Sequence, residues 1–148
     1  MTSIPELELP GQHRDEERPF PAAYDLSQQG PQWASTIRLA RDSILSALSV
    51  RGAVFLRGHV SHGPNGFDEC VRCFDLPNFT YAESLSNAVR RNHTERVFTA
   101  NEAPSDVAIF LHHEMAQTPV YPSKLFFYCE VPAASGGATP ICRSDRVY

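Results

Sequence analysis

Asp106-Val107-Ala108-Ile109-Phe110-Leu111-His112-His113-Glu114-Met115 is the stretch on which the reading of this chain turns. Its apolar centre has the length of a strand and ends in three side chains able to bind a metal. Side chains alternate faces along a strand, so His112 and Glu114 are expected to point one way and His113 the other. An imidazole beside a carboxylate supplies two of the three donors of a 2-His-1-carboxylate site for non-heme Fe(II). The third, a distant histidine, has no counterpart here. His13, His59, His62 and His93 lie in loop-like or polar contexts without ligand spacing. The plain alternative is a surface His-His-Glu at a strand end, and the flanking sequence has to decide between the two.

Downstream, residues 125–131 (Leu-Phe-Phe-Tyr-Cys-Glu-Val) are the most strand-like segment. Ala134-Ser135-Gly136-Gly137 reads as a turn and residues 138–142 as a short strand. Ser144-Asp145 looks like a helix N-cap, and the chain stops within one turn of it. That stop leads us to expect a cut through a domain. Upstream, residues 96–99 form a further expected strand, and residues 78–95 and 101–105 read as loops.

Residues 32–50 read as an amphipathic helix, with Trp33, Ile37, Ala40, Ile44 and Leu48 at helical spacing and Gly52 at the expected stop. Ala53-Val54-Phe55-Leu56 then makes a short apolar strand closed by Arg57-Gly58. Phe67, Cys70, Val71 and Phe74 fall at the spacing of a second helix, ended by Leu76-Pro77. Residues 1–31 carry Pro5, Pro10, Pro19, Pro21 and Pro31 and read as an extended lead-in with one short edge strand near residues 20–26. Residues 32–148 are expected to hold the folded domain.

The 148 residues are enough for one domain with a real core, and 42% hydrophobic composition excludes a disordered chain. The formal charge of −4 is mild, and the basic residues are scattered, with Arg90-Arg91 the densest pair. No nucleic-acid or acidic-membrane partner is implied. No run is long and apolar enough to span a membrane, and no secretion signal is evident, so a cytoplasmic location is the default. Cys70 and Cys73 form C-x-x-C, which would suit zinc together with a histidine. Both also fit a helix interior, where a free thiol behaves as a small hydrophobe.

Four segments together carry a family likeness. Arg96-Val-Phe-Thr-Ala-Asn-Glu-Ala-Pro, His112-His-Glu-Met-Ala-Gln, Pro122-Ser-Lys-Leu-Phe-Phe-Tyr-Cys-Glu-Val-Pro and Gly136-Gly-Ala-Thr-Pro resemble the clavaminate synthase-like branch of the taurine dioxygenase superfamily. The likeness is strongest from residue 96 to residue 148 and holds in register from residue 33 to residue 74. It implies an α+β, mainly β fold, a partial double-stranded β-helix (jelly roll) with flanking helices. It implies an oxidoreductase using Fe(II), with 2-oxoglutarate as co-substrate, on a small-molecule substrate. His112 and Glu114 match the first two iron ligands, and Thr139 matches a position whose hydroxyl contacts 2-oxoglutarate. The late histidine, and the arginine that binds the far carboxylate of 2-oxoglutarate, have no match within residues 1–148.

The chain departs from the family at residues 78–95, where relatives carry a glycine-rich segment bordering the substrate pocket. Ala108 replaces an asparagine that some relatives have four residues before the first ligand. Asn101 is a loose candidate for substrate contact, with loop capping as its plainer role. Two functions therefore compete. One is the N-terminal half of an oxygenase, inactive as an isolated chain. The other is a non-catalytic half-domain that pairs with itself or another chain through open sheet edges.

Overall fold

Gly52 ends the first helix and turns the chain back toward a strand. The helix, α1 (Trp33–Arg51), buries Trp33, Ala34, Thr36, Ile37, Ala40 and Ile44, a helical stripe, and exposes Leu39. Gly52 takes the left-handed conformation (φ 82°), and its N–H donates to Leu48 O at 2.8 Å. Only glycine adopts that conformation without steric cost. The computed structural model describes residues 4–15, 18–58, 62–79, 90–100, 104 and 107–147. They fall into two units. The first is Met1–Ser61, Arg72–Phe74 and Arg143–Tyr148; the second is His62–Val71 and Asp75–Cys142.

In the first unit, strands β1 (His13–Asp15) and β2 (Arg18–Phe20) pair antiparallel. Strand β3 (Ala22–Asp25) pairs parallel with β4 (Val54–Arg57), in the register Ala22 to Val54 through Asp25 to Arg57. A parallel pair needs a long crossover, and α1 provides it. The other edge of β3 takes up the N-terminal segment: Leu7 N–H donates to Ala23 O at 2.9 Å and Asp25 N–H to Pro5 O at 2.9 Å. Ile4, Ala22, Ala23 and Leu26 are buried, as are Trp33, Ile37, Ile44, Cys73 and Phe74 of the same unit. The Asp25 carboxylate accepts the Ser27 N–H at 2.8 Å, which holds its pKa below the ordinary value. This contact lies at the start of a 3₁₀ segment, Ser27–Gln32, that is kinked at Gly30.

The proline-rich first 31 residues thus hold three strands where sequence suggested one, and they supply core side chains. Proline fixes φ and removes a donor but keeps its carbonyl acceptor. The carbonyls of Pro5 and Pro19 still accept, the latter from Arg51 Nη1 at 2.7 Å.

The second unit contains α2 (Gly63–Arg72) except for its last residue. This helix starts earlier and ends earlier than the apolar spacing predicts. Phe67 stacks on Tyr128 with ring centroids 5.3 Å apart. Asp68, 2% exposed, accepts a hydrogen bond from Thr94 Oγ1 at 3.1 Å. Thr94 Oγ1 in turn accepts the N–H groups of Arg96 and Val97, closing a tight turn. Asn92 bridges Phe98 across that turn, and Thr99 N–H donates to Arg91 O at 2.9 Å. Where sequence suggested a strand over 96–99, the structure has this small hairpin.

The strands expected over 106–111, 125–131 and 138–142 are not hydrogen-bonded strands among the described residues. Apolar patterning makes a segment able to join a sheet, but a strand exists only with a ladder partner. Without one, Phe110 and Val131 are more than 80% exposed. The described residues are therefore α+β, and among them neither a mainly β architecture nor a double-stranded β-helix is formed. No described helix is long and apolar enough to cross a membrane.

Candidate metal centre

His112 and Glu114 lie where an extended segment gives way to a turn. The turn begins at Glu114, not beyond it. Ala116 N–H donates to His113 O at 3.3 Å, and Thr118 N–H to Met115 O at 3.0 Å. Met115 sits in the left-handed region (φ 60°) with its side chain buried. That conformation is costly for a residue with a Cβ, and such positions cluster at functional sites. The strand alternation expected to align His112 with Glu114 therefore does not apply. With no ladder to hold the pleat, the turn sets the direction of Glu114.

The His112 ring is exposed, and its Nδ1 lies 2.7 Å from Phe110 O. A carbonyl oxygen can only accept, so Nδ1 carries the proton, and in the neutral ring the lone pair is on Nε2. Glu114 is part-buried, and its Oε1 accepts from Arg90 Nη2 at 2.8 Å. The two side chains are 20% and 14% exposed, so this ion pair is shielded from much of the screening that weakens surface pairs. The Arg90 guanidinium also lies over the Phe98 ring, 5.5 Å from its centroid.

Glu114 and Arg90 border a cavity of about 290 Å³, lined also by Phe67, His93, Phe98, Tyr128 and Glu130. Five of its fourteen lining residues are Phe or Tyr, and the charged side chains of Arg90, Glu114 and Glu130 border the same space. His112 and Thr139 are not among the lining residues, and Thr139 is exposed. Asn101 lies outside the described residues. Among the described residues no three or more His, Cys, Asp or Glu side chains come together as a metal-binding group. Cys70 is half-buried and Cys73 buried, and neither forms a disulfide among the described residues.

Sequence reasoning missed Arg90 as a partner of Glu114. The Arg90-Arg91 pair was visible, but nothing in the sequence tied it to a carboxylate 24 residues away. It also missed Asp68, which sits on the helix carrying the expected apolar stripe and is the more deeply buried.

Residues 16–148 match the family described as taurine catabolism dioxygenase TauD, TfdA. A clavaminate synthase-like protein of Arabidopsis thaliana is 38% identical over 151 residues, covering 97% of this chain and 45% of that protein. The dapdiamide synthesis protein DdaC of Enterobacter agglomerans is 33% identical over 100 residues, covering 68% of this chain and 30% of that protein. The chain thus spans less than half the length of either relative. The family match spans residues 16–148, the stretch that contains both candidate ligands and the cavity-lining residues. It belongs to the taurine catabolism dioxygenase TauD, TfdA family.

Proposed function

We propose that this chain contributes the N-terminal part of an Fe(II)- and 2-oxoglutarate-dependent oxygenase site acting on a small molecule. His112 and Glu114 are the iron ligands in this reading, and Thr139 contacts the co-substrate. The observation that carries it is a family match whose span includes His112-x-Glu114, with Glu114 in the wall of a cavity that Phe67, Phe98 and Tyr128 also line. The donor set fits the metal. The hydrogen bond at His112 Nδ1 leaves Nε2 as the donor atom, the usual arrangement of a metal-binding histidine. A carboxylate is a natural partner for an imidazole at non-heme iron. When bound, Fe(II) with 2-oxoglutarate and O₂ supplies the oxidising chemistry.

The chain's own residues do the rest. Phe110 O fixes the His112 ring, Arg90 fixes the Glu114 carboxylate, and Phe67, Phe98 and Tyr128 give the space beside it an apolar side. A third ligand and an arginine for 2-oxoglutarate are assigned to the portion of the relatives' length that this chain does not span, as is completion of the jelly roll. The isolated chain, given Fe(II), 2-oxoglutarate and O₂, is therefore expected to form little or no succinate. Succinate production at rates comparable to full-length relatives would contradict the half-site reading.

The exposed apolar side chains of residues 107–141 favour a second reading, a non-catalytic module that associates with itself. It predicts dimers or larger species in light scattering at micromolar concentration. A clean monomer would remove it.

A further inference from the structure

Arg90 joins the candidate ligand Glu114 to a chain of contacts reaching back to α2. Thr94 is tied to buried Asp68 on α2 and closes the turn that carries Phe98. Phe98 underlies the Arg90 guanidinium, and Arg90 donates to Glu114 Oε1. Each link restricts the next. The turn carries the aromatic ring, the ring attracts the guanidinium lying over it, and a charge-assisted bond holds one carboxylate oxygen.

We infer that Arg90 is a positioning residue for metal binding, fixing the direction of the Glu114 carboxylate through its hydrogen bond to Oε1. This rests on Glu114 being a ligand. A carboxylate whose direction is already fixed loses less side-chain freedom when a metal binds it. The pair also neutralises a part-buried carboxylate before any metal arrives, at 2.8 Å and with both partners at most one-fifth exposed. Partners of this outer kind commonly govern metal affinity by about 10–100-fold.

The test uses Co(II) as a spectroscopic substitute for Fe(II), titrated into the 148-residue chain. Arg90→Gln is expected to weaken Co(II) binding by about tenfold or more and to change the visible Co(II) spectrum at saturation. Arg90→Lys keeps the charge but lacks the planar fork. It is expected to change the spectrum as well, and it carries the test if Arg90→Gln does not fold by circular dichroism. Glu114→Gln separates the two layers of the proposal. Loss of binding in Glu114→Gln, with Arg90→Gln and Arg90→Lys matching wild type in affinity and spectrum, overturns the role of Arg90 and leaves Glu114 as a ligand. Tighter binding in Arg90→Gln also overturns it, because Arg90 would then compete with the metal. Unchanged binding in Glu114→Gln removes the ligand reading itself, and the inference with it.

Discussion

Ile37→Ala is expected to lower the unfolding free energy of the first unit by about 2–5 kcal/mol. Ile37 is fully buried on α1, on the same stripe as Trp33 and Ile44. Truncation removes apolar area from water-excluded packing and leaves a cavity, and both terms oppose folding. Leu39, two residues on and 77% exposed, provides the internal control. Leu39→Ala is expected to shift stability by less than about 0.5 kcal/mol, since exposed positions away from special contacts contribute little. Urea unfolding followed by far-ultraviolet circular dichroism reads both. A large midpoint shift for Leu39→Ala, or a small one for Ile37→Ala, would mean that α1 packs on a different face.

His112→Ala and Glu114→Gln are each expected to weaken Fe(II) binding by more than about 100-fold, beyond the range typical of outer-shell changes. Each removes one of only two protein donors assigned to this chain, and affinity in such sites depends on ligand number and geometry. His113→Ala is expected to change affinity by less than about threefold, well inside the effect of losing even an outer-shell partner. The contrast matters because His112 and His113 are chemically identical neighbours. Only His112 has the Nδ1 contact to a backbone carbonyl that leaves Nε2 as the donor atom. Anaerobic calorimetric titration measures all three. An effect of His113→Ala as large as that of His112→Ala would reassign the ligand.

Helix α1 and its end at Gly52 were legible in the sequence because their signals are local. A stripe of apolar residues at helical spacing and a glycine after it need no distant partner. The strand before Arg57-Gly58 was legible for the same reason, but its parallel pairing with β3 was not, since pairing joins residues 32 apart in register. The N-terminal 31 residues were under-read because proline density suggested a loose segment. Pro5 and Pro19 serve there as acceptors, which proline permits.

Residues 125–131 show the opposite case. Their β pattern is strong, but pattern alone cannot form a ladder, and among the described residues they have none. The candidate ligands were legible as a three-residue motif because ligand type and spacing lie in the sequence. The geometry around them was not. The turn at Glu114 and the ion pair with Arg90 depend on folding that brings distant residues together.

X-ray absorption at the iron edge of the Fe(II)-loaded chain tests the central assignment most directly. The account predicts a first shell of nitrogen and oxygen only, with an imidazole signature that disappears in His112→Ala. A sulfur shell from Cys70 or Cys73, or an imidazole signature that survives His112→Ala, would contradict it.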